Sequence, residues 1–281
     1  YLHNMGVRAT LTISIMVNGK LWGLISCHHR TAFSPNIKRL NLVEIFGNIL
    51  GGIIQAREES ENEKRSSELL ARLDLVMEML LMHEKSSDLM SLIQKKIHLL
   101  QSIFSSDGFL VYTNNAIIAH NFPFPENEIK QLIDCLKPLV QDKIFHTDNL
   151  VSVNSNLPEV ILEMCAGLIV MKLDTQPSSY WIWRRNEKTQ TISWGGNPNQ
   201  KAILNQQVVI SPRKSFEKYN QIVTKKSISW DISEKEFYIH LIPRLYRLHE
   251  IFESNKELEH HKQHILQIEE ERAKHFEELI E

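Results

Sequence analysis

Cys27-His28-His29 sets three potential metal ligands side by side. They fall in a run with the composition of a strand, where neighbouring side chains point to opposite faces, so the three cannot converge on one ion. His28 by itself reads as a satisfied core histidine. His260, His261, His264 and His275 invite metal binding or phosphotransfer, but none sits in a recognisable phosphoacceptor motif. Histidines on so charged a helix belong to its solvated face. The cysteines, Cys27, Cys135 and Cys165, are widely spaced and odd in number, a pattern of reduced thiols rather than of a disulfide framework. Cys135, on a helix, and Cys165, before a strand, read as core thiols. No nucleophile–base–orienter set, phosphate loop or metal cluster is legible, which predicts that this stretch of chain is not itself an enzyme.

The chain is organised around Tyr180 to Trp230. An aromatic, strand-like run, Tyr180-Trp181-Ile182-Trp183-Arg184-Arg185, is followed by Trp194-Gly195-Gly196-Asn197-Pro198, a polar arm, Ser211-Pro212-Arg213-Lys214-Ser215-Phe216, and finally Trp230. Gly-Gly-Asn-Pro is turn chemistry, because glycine takes positive φ freely and proline removes a donor. The stretch reads as an excursion from a sheet through a hairpin-like arm. Its tryptophans, arginine and serine sit on an arm too polar to form a core, so it needs another surface to lie on.

Thr10 to Val17 alternates polar and apolar residues, Asn18-Gly19 signals a hairpin, and Leu21 to His28 supplies the return strand. Thr10, Thr12 and Ser14 share one strand face, and Trp22, Leu24, Ser26 and His28 share one face of the other strand. With a two-residue turn Thr10 pairs with Cys27, and His28 falls on the opposite face. A three-residue turn with a bulge brings the hydroxyls and His28 together. The residues alone leave both open.

From Asn36 to Leu81 the spacing predicts one long helix, started at Ser34-Pro35, with a stripe of Leu40, Val43, Gly47, Leu50 and Ile54 that resumes at Leu69, Leu73, Val76 and Leu80. Between them Gln55 to Glu68 carries eight charges in fourteen residues, a solvated middle. Ser86 to Phe104 reads as a helix with Leu89, Leu92, Ile93, Ile97 and Leu100 inside. Phe109–Thr113 and Ala116–His120 form a hairpin, Pro125–Val140 a helix with an acidic first turn, Val151–Val153 a short strand and Ala166–Leu173 an apolar strand. Antiparallel strands with helices on one side predict an α+β domain. Ser233 with Glu236 suggests a capping box opening the tail helix, which Pro243 would kink early. Ile251, Leu258, Ile265 and Leu279 recur at seven, a weak coiled-coil seam broken by Arg272.

The two arm motifs, WGGNP and SPRKSF, resemble the tongue of the phytochrome-specific (PHY) domain of phytochromes. Tyr1-Leu2-His3-Asn4-Met5-Gly6-Val7-Arg8-Ala9-Thr10 and Leu21-Trp22-Gly23-Leu24-Ile25-Ser26-Cys27-His28-His29 resemble the end of their chromophore-binding GAF domain. The matches reach to about residue 250, and the chain reads as a fragment cut at both ends. The resemblance implies GAF-like antiparallel sheets with flanking helices, joined by a helical spine, and a PHY domain with a hairpin tongue. The segments are 1–35 for the end of the GAF domain, 36–84 for the spine, 85–240 for the PHY domain (tongue 181–230) and 241–281 for a signalling helix.

It also implies a bilin cofactor, a linear tetrapyrrole expected to be biliverdin. Thr10 and Thr12 would bind its propionate, His28 would approach the D-ring and Tyr1 would line that ring's pocket. The attachment cysteine and the family's Asp-Ile-Pro segment lie upstream, so the chain alone is expected to hold no bilin. The family tongue assigns Arg213 to the Asp-Ile-Pro aspartate in the dark and Ser215 to it after light, as the arm refolds from hairpin toward helix. A guanidinium fork and a weaker hydroxyl suit such a two-state contact. Trp194 and Trp230 exchange places in that change, and Gly195, Gly196, Pro212 and Phe216 complete the motifs. His3 stands where the family carries a basic residue, and Tyr219 replaces a tryptophan.

The net charge of −2 gives no pull toward nucleic acid or anionic membrane, and no apolar run spans a bilayer. The expected setting is cytoplasmic, as a homodimer through the spine and the C-terminal helix. A histidine-kinase output after Glu281 would pass the signal to a response regulator. The alternatives are a bilin-free GAF/PHY-type dimeric scaffold, which the upstream cysteine and Asp-Ile-Pro segment would separate, and a ligand-gated sensor module of a signalling enzyme, which the residues after Glu281 would decide.

Overall fold

The computed structural model describes residues 6–82, 89–113, 116–140, 143–175, 178–195 and 218–278. The chain divides into two compact units, residues 1–64 with 190–223, and residues 65–189 with 224–281.

In the first unit, strands β1 (Ala9–Val17) and β2 (Lys20–His29) pair antiparallel, and helix α1 (Ile37–Leu81) begins behind them. The helix starts at Ile37, one residue later than the sequence suggested, and is capped by Asn36, whose Oδ1 accepts from the Arg39 N–H at 3.0 Å. Ile15 and Val17 are buried, on the β1 face that meets α1. Two glycines allow that approach, since a Cβ on Gly47 would stand 3.0 Å from the Ile13 side chain and one on Gly51 would stand 2.2 Å from the Met16 carbonyl oxygen. Strands β8 (Gln190–Gly195) and β9 (Lys218–Val223) form the arm's ladder.

The second unit takes the rest of α1, whose Leu69, Leu73, Val76 and Leu80 are buried as the stripe predicted. It continues through α2 (Leu89–Gln101), β3 (Gly108–Thr113), β4 (Ala116–His120), α3 (Glu126–Leu136), β5 (Ile144–Thr147), α4 (Leu150–Val153), α5 (Glu159–Met164), β6 (Gly167–Leu173) and β7 (Ser179–Arg185). After the arm come α6 (Ile232–Glu236) and α7 (Tyr238–Glu278). The five strands pair antiparallel in the order β4-β3-β7-β6-β5. All five residues expected on the inner side of α2 are buried.

Three readings are corrected. Helices cover both faces of this sheet, not one. Phe109, Val111, Ile169, Trp181 and Trp183 pack with α1, α2 and α7, while Leu110, Tyr112, Leu168 and Ile182 pack with α3, α4 and α5. Every residue of β3 is buried, the pattern of a strand enclosed on both sides. Residues 151–153 are helical, not extended, because Asn149 Oδ1 caps the turn by accepting from the Ser152 N–H at 3.3 Å, and the edge strand lies earlier, at β5. The capping box opening the tail is Asp231 with Glu234, not Ser233 with Glu236, and α7 runs on past Pro243.

The thiols differ by position. Cys27 is exposed, Cys135 half-buried and Cys165 buried. Burial pushes the Cys165 thiol up to about 12. At pH 8 a maleimide is expected to label Cys27 in the folded chain and Cys165 only after denaturation. Equal labelling rates, read by mass spectrometry of the peptides, would refute this burial pattern.

Candidate functional site

The hydroxyl face of the hairpin is set by a defect in its ladder. Asn18 and Gly19 take φ of 50° and 70°, a two-residue turn that pairs Val17 with Lys20. The register then slips between Ile15 and Met16: Met16 faces Leu21 and Ile15 faces Gly23, leaving Trp22 as the extra residue of a bulge. Beyond the slip Ser14 faces Leu24, Thr12 faces Ser26 and Thr10 faces His28. The turn is the shorter of the two considered from sequence, yet the face-sharing is that of the longer one. The bulge within the strand, not the turn, supplies the odd residue.

Thr10 Oγ1 lies 3.1 Å from His28 Nδ1 and donates to the Cys27 carbonyl at 3.3 Å. With its hydroxyl proton so used, Thr10 Oγ1 accepts from the Nδ1–H of His28. Thr12 Oγ1 is 3.5 Å from Ser26 Oγ. Thr10, Thr12, Ser26 and His28 are all exposed. Ala9, Thr10, Cys27, His28, Phe33 and Pro35 line a groove of about 180 Å³. Phe33 is held there by His29, ring centroids 5.6 Å apart, and by the Arg39 guanidinium at 5.6 Å. Trp22 Nε1 donates to Glu58 of α1 at 3.0 Å. Such a row of hydroxyls with an imidazole can hydrogen-bond a carboxylate.

On the arm Trp194 pairs across the ladder with Tyr219, so the tyrosine noted in the sequence keeps an aromatic pair. Trp194 Nε1 donates to Gln221 Oε1 at 2.9 Å, and Ser193 Oγ donates to Asn220 Oδ1 at 2.9 Å. Tyr1, Gly196, Pro212, Arg213, Ser215 and Phe216 lie outside the described residues, while Gly195 pairs with Lys218. The aromatic run 181–185 is not arm but the buried central strand β7. Trp230, 2% exposed, belongs to the core of the second unit, its Nε1 donating to the Thr147 carbonyl at 3.0 Å.

Sequence reasoning assigned no role to the residues that hold the arm's two feet, 186–189 and 224–230, where it leaves and rejoins the second unit. Arg184 and Arg185 end β7 and, as strand neighbours, point to opposite faces. Arg184 donates to the Asn121 and Met164 carbonyls and to Asn186, and its guanidinium lies over Phe122 at 5.3 Å. Burial holds its pKa below the usual arginine value. Arg185 donates to the Ser105 carbonyl at 2.8 Å and to the Ile228 and Ser229 carbonyls at 3.4 and 3.2 Å. It meets Glu234 Oε1 at 2.5 Å and lies 3.7 Å over the Trp230 ring. The readable signals were two arginines closing an apolar run and the Asp231-Ile-Ser-Glu234 spacing. Among the described residues no group of three or more His, Cys, Asp or Glu side chains could hold a metal ion. Nor, among them, is any helix long and apolar enough to cross a membrane.

The family profile described as "Phytochrome region" matches residues 73–251, and that described as "GAF domain" matches residues 1–54. The chain is 32% identical over 233 residues to cyanobacterial phytochrome A of Nostoc sp., covering 82% of this chain and 30% of that protein. Identity to a bacteriophytochrome of Pseudomonas aeruginosa is 30% over 234 residues, covering 82% and 31%. The chain thus spans about a third of the length of these curated relatives. Its fold is similar to the crystal structure of a bacteriophytochrome from R. palustris, with TM-score 0.71, 24% identity and coverage of 88% of this chain and 49% of that one. The wild-type photosensory core module of the Stigmatella aurantiaca phytochrome gives TM-score 0.66 at 25% identity, covering 88% and 49%. With the profile match running through both α1 and β7 and on into α7, the chain belongs to the phytochrome family.

Proposed function

We propose that the chain is part of a red/far-red light-sensing phytochrome, and that it closes a bilin pocket and relays photoconversion toward a C-terminal output. The observation that carries this reading is the register that sets Thr10 opposite His28 and Thr12 opposite Ser26. A bilin propionate needs hydroxyl donors on an open strand face, and these residues fit that need. When bound, the bilin (biliverdin in this reading) supplies the absorption of light. Thr12, and Thr10 once its hydroxyl turns from the Cys27 carbonyl, would donate to its propionate, His28 would approach the D-ring, and Tyr1 would line that ring's pocket. Arg213 of the arm pairs with a carboxylate of the GAF domain in the dark, and Ser215 replaces it after light. Trp194 is 43% exposed and Trp230 2% exposed, the unequal burial that their exchange would invert.

The segments follow as 1–35 GAF end, 36–84 spine, 85–240 PHY domain and 241–281 signalling helix. Homodimerisation through the helices is supported by Leu42, Ile45, Phe46, Ile49 and Ile53, which lie exposed along α1, and by exposed Leu258 and Ile265 on α7. In this reading the full-length protein is cytoplasmic, with an output such as a histidine kinase acting on a response regulator.

The test is the parent protein extended upstream and assembled with biliverdin, its absorption recorded before and after red light beside Arg213→Ala. A red band that converts to far-red in the wild type and stalls or bleaches in the variant is expected. Absence of any bilin band would refute the photoreceptor reading and favour a bilin-free scaffold. A normal photocycle in both would remove Arg213 from the mechanism.

A further inference from the structure

The arm leaves the second unit after Thr189 and re-enters it at Thr224. The arm is joined along the chain to that unit by two short feet, 186–189 and 224–230. A strand rises about 3.3 Å per residue and a helix 1.5 Å, so refolding of the arm would move the feet. The feet are held by backbone bonds, Lys188 N–H to the Lys226 carbonyl at 2.8 Å, Glu187 N–H to the Glu163 carbonyl at 2.6 Å and Ser227 N–H to the Asp148 carbonyl at 3.0 Å. Side-chain bonds hold them too, such as Asn186 N–H to Asp107 Oδ2 at 2.8 Å and Ser229 Oγ to Asp148 Oδ2 at 2.7 Å. Each of these bonds reaches one foot from the body of the unit or joins the two feet.

Arg185 differs from all of these. It is the last residue of β7 before the departing foot, and it donates to two carbonyls of the returning foot, Ile228 and Ser229. Its remaining amino group meets Glu234, and the pair is buried, with side chains 9% and 8% exposed. Glu234 closes the capping box of α6: its Oε2 accepts from the Asp231 N–H at 3.0 Å, and its N–H donates to Asp231 Oδ1 at 2.8 Å. Asp231 Oδ2 in turn accepts from Arg65 of α1 at 2.7 Å. One carboxylate thus serves both the arm's foot and the first turn of the tail. Beside Arg185 an open groove of about 290 Å³, bordered by Ser105, Asp107, Asn186 and Ile228, leaves the foot room to move.

We propose that Arg185 is a positioning residue that couples the arm's feet, through Glu234, to the first turn of the tail helix and, through Asp231 and Arg65, to the spine. The link deepens the light-sensing reading, in which the arm is the moving part, but its test needs no chromophore. A failed light response and a failed link are therefore separate results.

The experiment compares amide hydrogen exchange of the 281-residue chain with that of a form in which residues 190–223 are replaced by a short glycine–serine connection. The same pair is measured in the Arg185→Gln/Glu234→Gln background. That background leaves no unpaired buried charge and lets the two amides bond each other, whereas Arg185→Gln alone strands the Glu234 carboxylate. Arm replacement frees the feet and is expected to speed exchange at Glu234, Lys235 and Phe237 by about tenfold in the parent sequence. In the double-glutamine background the change is expected to fall below about twofold. The proposal is overturned if the change is as large in both backgrounds, or if it is missing from the parent sequence, a comparison that stands even where the variant does not fold.

Discussion

Trp183→Ala is expected to lower the unfolding free energy of the second unit by about 3–5 kcal/mol, the range for deleting a buried aromatic ring. Trp183 is fully buried on the central strand β7. Its ring lies 4.6 Å from Phe109 on β3 and 5.0 Å, edge on, from Phe104 after α2. Phe104 also meets Trp230 and Phe237 edge on, at 6.2 and 5.7 Å, so the ring cluster ties the sheet to both flanks of α6. Nε1 donates to the Leu100 carbonyl at 2.9 Å, fixing the end of α2 to the sheet. Alanine would take the indole donor from that carbonyl, leaving it the longer 3.4 Å bond from the Ile103 N–H, as well as opening a cavity. Trp183→Phe keeps a ring and loses the donor, so a smaller loss is expected. Urea unfolding should show a lower midpoint at unchanged slope. A loss under about 1 kcal/mol would contradict the packing described.

Gly51→Val is expected to separate the β1–β2 hairpin from α1, and the neighbouring Gly52 supplies the control. A Cβ at Gly51 would stand 2.2 Å from the Met16 carbonyl oxygen, a backbone atom that cannot move without the strand, whereas at Gly52 nothing lies within 4 Å. Overpacking of this kind costs about 1–3 kcal/mol, or more where backbone resists. Gly52→Ala meets no such resistance and should gain up to about 1 kcal/mol from the better helix former. Opposite signs at adjacent residues are therefore expected in thermal unfolding. Faster exchange at the β1 amides is expected in Gly51→Val alone. The same sign at both positions would show that the hairpin does not sit on α1 through Gly51.

The same contrast separates what was legible in the sequence from what was not. The stripe of α1, the five inner residues of α2, the Asn18-Gly19 turn and the strands β3, β4, β6 and β7 were all readable. Each is written in residues a few positions apart, through a period of 3.6 or 2 or through turn chemistry. The unbroken apolar run of β3 even carried the signal of two-sided burial that the one-sided reading missed. The motifs 194–198 and 211–216, with 1–10 and 21–29, were enough to point to the family.

The tertiary structure decided the rest. A single bulged residue at Trp22 sets His28 opposite Thr10, because a slip of one residue turns a strand's side chains to the other face. Asn149 made a helical turn of four residues whose composition suits a strand, since a cap outweighs weak propensity in so short a segment. Arg185 found Glu234, 49 residues away, across an arm whose length says nothing of where its feet lie. Periodicity reports only on neighbours along the chain, whereas register and buried ion pairs depend on which distant segments the fold brings into contact.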